Sequence, residues 1–150
     1  MKFRMVDRIL SWEPKRSIRG VKTVSFEEYC LRSPLGYDEH LPESLLMESL
    51  FQLGNWLVIL SSDYTRMGLI VRTGEVTFLE PLRPGEHMVM EAVVRSYRDD
   101  GVLFDGTASV DGRRIVEGRS CLAAPTPLEE YYNPEDLRVL FSEIHRPGEG

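Results

Sequence analysis

The hydrophobic pattern is densest between Leu41 and Leu60. Within it Leu45, Leu46, Met47, Leu50, Phe51, Leu53, Trp56, Leu57, Val58, Ile59 and Leu60 leave almost no face of a helix to water. A helix that is apolar all round belongs in a core. Pro42 suits its first helical position, because proline lacks a donor that would find no partner there. Glu43 adds negative charge to the first turn, where the helix dipole favours it. One polar edge interrupts the apolar surface. Ser44, Glu48, Gln52 and Asn55 recur at spacings of four, four and three residues, which aligns them along the helix. Burying a carboxylate is costly unless it is paired or hydrogen-bonded. Glu48 therefore faces solvent on a thin wet stripe or is held for chemistry. A carboxylate beside two amides resembles a hydrogen-bonding set more than a solvated Lys/Glu face.

Around this helix the pattern has the shorter period of strands. Arg4–Ser11 and Ser17–Val24 read as two strands joined by a turn at Trp12–Arg16. Leu31–His40 is loop by composition, and Ser61–Thr65 is a linker. Leu69–Leu79, Met88–Tyr97, Val102–Val110 and Arg114–Ala123 follow as four strands. They are separated by hairpin-type turn signals at Pro81–Gly85, Arg98–Gly101 and Asp111–Gly112. Partial alternation shows in Val76 and Phe78, in Val89, Glu91 and Val93, and in Ala108 and Val110. This predicts an antiparallel meander with one face on a core. The apolar helix is the element available to cover that face, so the fold class is α+β. Pro134–Ile144 reads as a short amphipathic helix capped by Asn133, followed by a frayed tail. The expected division is residues 1–132 as the domain and 133–150 as C-terminal helix and tail.

Length and composition narrow the class. The 150 residues suit one domain, and 42% hydrophobic with 28% charged residues describes an ordinary globule. A net charge of −6 argues against a nucleic-acid partner, for which a basic patch is expected. No uninterrupted apolar run of about 18 residues occurs, so no membrane span is indicated. The charged N-terminal segment is unlike a signal peptide, and a cytoplasmic protein is expected. Cys30 and Cys121 are too few and too far apart for a metal site.

Four stretches carry a resemblance to a known family, between about Met5 and Ala124. They are Met5-Val-Asp-Arg-Ile-Leu, Leu41-Pro-Glu-Ser-Leu-Leu-Met-Glu-Ser-Leu-Phe-Gln, Phe78-Leu-Glu-Pro-Leu-Arg-Pro-Gly-Glu and Ala108-Ser-Val-Asp-Gly-Arg-Arg-Ile-Val-Glu-Gly. In this order and spacing the chain resembles the (3R)-hydroxyacyl-[acyl-carrier-protein] dehydratases of fatty-acid synthesis. The resemblance implies the hotdog fold, a long central helix wrapped by an antiparallel sheet. It implies a hydro-lyase that removes water from a 3-hydroxyacyl thioester to leave the trans-2-enoyl thioester. In the family a His takes the C2 proton and a helix carboxylate from the neighbouring subunit helps the hydroxyl leave. Backbone donors near a helix N-terminus polarise the thioester carbonyl. Glu48 falls on the acid and Gln52 on its supporting amide. A homodimer with the acyl chain in an interfacial tunnel is implied, with no metal or organic cofactor.

The chain departs from the pattern at the base. The family's His position falls on Ser33 or Pro34, neither of which serves as a base near neutral pH. The Gly expected after Pro42 is Glu43, and positions that are commonly basic are Thr77, Leu79 and Glu80. His40, two residues before Pro42, is the candidate replacement, since an unperturbed His suits proton transfer. Its bland alternative is a loop surface residue. His87 reads as a surface residue and His145 as part of the tail. The expected site is thus Glu48 and His40 for catalysis, with Gln52, Ser33 and Pro42 contacting substrate.

Three functions remain open. One is a dehydratase with a rearranged site. Another is a hotdog thioesterase in which Glu48 acts alone. The third is a non-catalytic acyl binder or heterodimer partner that lends Glu48 to a second hotdog subunit. The thioester's carrier, acyl carrier protein or coenzyme A, is open too; Arg95, Arg98, Arg113 and Arg114 are candidates to meet an acidic partner. The helix's apolar surplus predicts that Trp56 meets a twin protomer, and edge strands of two protomers could join into one sheet. Three uses are open to the C-terminal helix: covering an edge, lidding the tunnel or joining dimers.

Overall fold

A computed structural model describes residues 4–27 and 39–147. The helix predicted from the apolar run is α1, Glu43–Ser61. It starts one residue later than the sequence suggests. Pro42 has extended backbone (φ −54°, ψ 140°) and occupies the cap, its carbonyl accepting from the Leu45 and Leu46 amides at 2.9 and 3.3 Å. Seven strands wrap around α1 among the described residues: β1 Arg8–Glu13, β2 Ser17–Thr23, β3 Arg66–Arg72, β4 Val76–Phe78, β5 His87–Arg98, β6 Gly101–Val110 and β7 Arg113–Pro127. All pair antiparallel in the order β1-β2-β5-β6-β7-β3, and β4 also pairs with β7. This is the hotdog arrangement that the sequence predicts.

Alternation decides which face the sheet turns to α1. On β6 the buried positions are Val102, Phe104, Gly106, Ala108 and Val110. On β5 they are Met88, Met90 and Ala92, all fully buried. Val89, Glu91 and Val93 form the opposite face, so the apolar residues picked out there in the sequence are outward ones.

Strand boundaries differ from expectation in several places; β1 starts at Arg8 rather than Arg4, and β3 at Arg66 rather than Leu69. Trp12 and Glu13 pair with Ile18 and Ser17, which extends β1 into the expected turn. The single strand expected over Leu69–Leu79 is split into β3 and β4. At the break the Gly74 amide donates to the Arg119 and Ser120 carbonyls, at 3.1 and 3.2 Å. A Cβ on Gly74 would lie 2.8 Å from the Arg119 carbonyl oxygen, so the close approach depends on glycine. β7 runs on to Pro127, because its second half pairs with β3 from Ala123↔Ile70 to Pro127↔Arg66. Cys30 and most of the expected Leu31–His40 loop lie outside the described residues.

The C-terminal helix α2 spans Pro134–Ile144, as predicted, and the Asn133 side chain caps it by accepting from the Glu135 amide at 3.0 Å. It buries Leu137, Leu140 and Ile144 in the common core. Phe141 meets Trp56 with ring centroids 6.0 Å apart, and Trp56 is only 1% exposed. The expectation that Trp56 awaits a twin protomer is therefore overturned: the chain's own α2 covers it. Arg138 lies over the Tyr64 ring at 4.3 Å and pairs with Asp63 at 3.3 Å. Beyond α2, His145 forms a parallel bridge to Ile9, and the Arg146 amide donates to the Ile9 carbonyl at 2.9 Å. The segment after α2 thus meets the outer edge of β1 at Ile9, which bears on one of the three uses left open for this helix. The outer edge of β3 pairs with no other described strand, and Leu69 and Val71 on it are 37% and 61% exposed. By length and composition α1 could cross a membrane, but eleven of its residues are buried and it is the core helix.

Gly54 sets how closely α1 approaches the sheet. A Cβ there would lie 2.6 Å from Cζ of Phe104. Alanine favours helix by about 1 kcal/mol over glycine, yet overpacking a tight core costs about 1–3 kcal/mol. Gly54→Ala is expected to lower unfolding free energy in urea despite its better propensity. The double variant Gly54→Ala/Phe104→Leu should recover more than the sum of the single changes predicts; strict additivity would show that this contact is not the limiting one.

Candidate functional site

A groove of about 450 Å³ opens between α1 and the free-edge strand β3, with Glu48, Phe51, Gln52 and Asn55 on the helix side. Met67, Gly68, Leu69 and Ile70 form the strand side, and Tyr132 completes the lining. Three of the four residues on the helix's polar edge are here, and all three are half-buried. Ser44 is exposed and takes no part in the lining.

Each polar member is fixed. The Gln52 side-chain oxygen accepts from the Met5 backbone amide at 2.8 Å, and its Nε2 donates to Glu48 Oε1 at 2.9 Å. A backbone N–H can only donate, so the Met5 amide dictates which end of the Gln52 amide faces Glu48. The segment ahead of β1 thus orients the helix carboxylate. Oε2 of Glu48 accepts no hydrogen bond from another described residue. Asn55 Oδ1 accepts from the Gly68 amide at 2.8 Å, which ties α1 to β3. Ser49, fully buried beside Glu48, satisfies its hydroxyl on the Leu45 carbonyl at 3.0 Å and serves the helix.

His40 is elsewhere on the chain. It is half-buried ahead of α1, next to Leu41, whose amide donates to the Leu82 carbonyl at 2.8 Å. With Glu43, Phe78, Leu79, Glu80 and Pro81 it lines a second groove of about 320 Å³. Glu80 there is bound to Arg113. Within one chain, then, His40 and Glu48 line different grooves. Pro42 stands half-buried at the helix cap and lines neither groove. Ser33 and Pro34 lie outside the described residues.

Most of the other candidates have structural partners. His87 is exposed and bridges the Thr23 hydroxyl at 2.8 Å and the Arg8 guanidinium at 3.1 Å. His145 stacks on Phe141 with centroids 4.8 Å apart. Arg95, Arg113 and Arg114 pair with Asp105, Glu80 and Glu117 on the same chain. Burial pushes the Cys121 thiol up to about 11, and the charge of Asp105 acts in the same direction. Cys121 stays protonated and packs in the core. Among the described residues no group of three His, Cys, Asp or Glu side chains is arranged to hold a metal ion.

Sequence reasoning misses Tyr132. It precedes the Asn133 cap and reads as part of the approach to α2. The available signal is an aromatic pair, Tyr131-Tyr132, directly ahead of a capped helix.

Residues 1–119 match the model of the FabA-like domain. The 3-hydroxyacyl-[acyl-carrier-protein] dehydratase FabZ of Aliarcobacter butzleri is 29% identical over 119 residues, covering 75% of this chain and 81% of that protein. The enzyme of the same name from Klebsiella pneumoniae is 31% identical over 118 residues, covering 77% of this chain and 78% of that protein. Among solved structures, smu.793 from Streptococcus mutans, bound to acetyl CoA, superposes with a TM-score of 0.64 at 11% identity, covering 84% of this chain and 94% of that one. The Escherichia coli PaaI protein superposes with a TM-score of 0.62 at 12% identity, covering 79% of each chain. At such identities these two structures speak to the fold alone. The family match spans most of the chain, and on it the chain belongs to the FabA-like family.

Proposed function

We propose that this protein eliminates water from 3-hydroxyacyl thioesters, with Glu48 as the group that serves the departing hydroxyl. The observation that carries the reading is the half-buried carboxylate held at Oε1 by Gln52, in a groove walled by apolar side chains. The dehydratase relatives supply the reaction class. The C2–H bond breaks as a base takes the proton, the C2–C3 double bond forms, and the C3 hydroxyl leaves as water with a proton from Glu48. A positioned acid or base of this kind contributes about 10²–10⁴-fold to rate. His40 is the proposed base, acting from a second copy of the chain, since it and Glu48 line separate grooves on one chain. Gln52 orients the acid, and Pro42 and Ser33 belong to the proposed approach of the thioester.

The pairing surface that we propose is the open edge of β3. It carries exposed Leu69 and Val71 and forms one wall of the Glu48 groove, so a partner strand there would close the groove. Free apolar edges invite such pairing. No cofactor enters the reaction, and a cytoplasmic setting fits a thioester substrate carried by acyl carrier protein or coenzyme A.

Thioester hydrolysis is the second reading. In its favour, no described histidine lines the groove with Glu48, and a carboxylate alone can activate water. Purified protein given a 3-hydroxyacyl coenzyme A or carrier thioester is expected to yield a product lighter by one water. Glu48→Gln should lower kcat by about 10²-fold or more, on the scale of a lost acid. Release of free thiol instead, also lost in Glu48→Gln, would replace elimination by hydrolysis. Activity that appears only on adding a second hotdog subunit would make this chain the donor of Glu48 in a heteromer.

Light scattering should give a particle of at least twice the 17.2 kDa chain mass. The double variant Leu69→Lys/Val71→Glu should fall to the monomer and lose turnover. A wild-type monomer with full activity would sink the shared-site reading.

A further inference from the structure

The groove beside Glu48 has an end wall that the matched family domain does not supply. That domain stops at residue 119, whereas Tyr132 comes from the segment between β7 and α2. Two hydrogen bonds fix where this segment sits. The Leu128 amide donates to the Thr65 carbonyl at 3.0 Å, just ahead of β3, and Asn55 holds Gly68 near the start of the same strand. Together they put the segment at the Asn55 end of the groove. Asn55 is seven residues along α1 from Glu48, about 10 Å by helical rise. The Tyr132 amide donates to the Leu128 carbonyl at 3.0 Å, and Tyr132 lines the groove.

The ring has little freedom to leave. Leu128 is fully buried, the Asn133 cap follows immediately, and α2 is pinned through Phe141 on Trp56. Tyr132 is itself packed against the core. A half-buried aromatic so anchored, at the end of a groove whose other walls include Phe51, Leu69 and Ile70, acts as a stop. We infer that Tyr132 determines specificity, limiting how long an unbranched acyl tail can lie in the groove while its thioester end reaches Glu48. The inference rests on the acyl-thioester reading above.

The test measures binding of butyryl, octanoyl and palmitoyl coenzyme A to wild type, Tyr132→Ala, Tyr132→Phe and Tyr132→Trp by calorimetry. Binding needs no turnover, so it separates this inference from the elimination chemistry. Tyr132→Ala should shift the preference toward the longer tail, by about fourfold for each methylene newly buried. Tyr132→Trp should shift it toward the shorter tail, and Tyr132→Phe, which keeps the ring, should leave the profile in place. If Tyr132→Ala weakens all three ligands in parallel, or lowers thermal stability with an unchanged profile, Tyr132 is a structural residue and the inference fails alone. It fails equally if Tyr132→Phe reproduces the alanine shift. If wild type binds none of the three acyl groups, whether presented on coenzyme A or on acyl carrier protein, the acyl-thioester reading fails and takes this one with it.

Discussion

The constraint on which the structure turns is that α1 has almost no face fit for water. The curved sheet covers most of it, and α2 covers Trp56 near its C-terminal end. What is left is one line along the helix, and the sequence puts Glu48 and two amides there. The groove is thus the seam at which covering stops, between α1 and the last strand of the sheet. An acid on that seam stands at the border between core and solvent, where apolar walls and a wet mouth meet. A thioester with an apolar tail and a polar reacting end makes the same demand of a site.

Closure at the two sheet edges is unequal. At the β1 edge, Ile9 is bridged by the chain's own His145. The β3 edge is left with exposed Leu69 and Val71 on the strand that walls the groove. Within one chain, therefore, the apolar seam is least protected where the candidate chemistry lies. Asn55 stiffens that strand by holding the Gly68 amide, and Gly68 packs closely on Val58 and Ala123, where a Cβ would lie 3.3 and 3.1 Å from their side chains.

Much of this is legible in the residues because the relevant signals are local. The apolar period of α1, the Asn133 cap, the turn glycines and the four-residue spacing of Glu48 and Gln52 each act over a few positions. The hidden parts depend on contacts between distant segments. That Met5 orients Gln52 cannot be read from the chain, since 47 residues separate them. The break between β3 and β4 is set by Arg119 and Ser120 across the sheet, and the covering of Trp56 by a helix far along the chain. Tyr132 is hidden for the same reason: its neighbours in the groove belong to α1 and β3. On β5, outward Val89 and Val93 resemble core residues in composition, and only pairing with Gly20 and its neighbours fixes which face is inside.

The Met5–Gln52–Glu48 chain has a further chemical consequence. Because the backbone amide of Met5 only donates, Gln52 must turn its oxygen to it and its nitrogen to Glu48. A donor facing Oε1 leaves that oxygen no room for a proton of its own directed at Gln52. Oε2, which accepts nothing from the described residues, is the oxygen left open to exchange a proton with substrate or water. The helix carboxylate is made one-sided, with one oxygen for orientation and one for exchange. A one-sided acid can deliver a proton to a leaving hydroxyl or receive one from attacking water, but it does not reach two well-separated substrate atoms at once. Elimination needs two such atoms served, C2 and the C3 hydroxyl, whereas hydrolysis can begin with one. The geometry of a single amide thus makes the second group, from whichever chain it comes, the determinant of which reaction this groove performs.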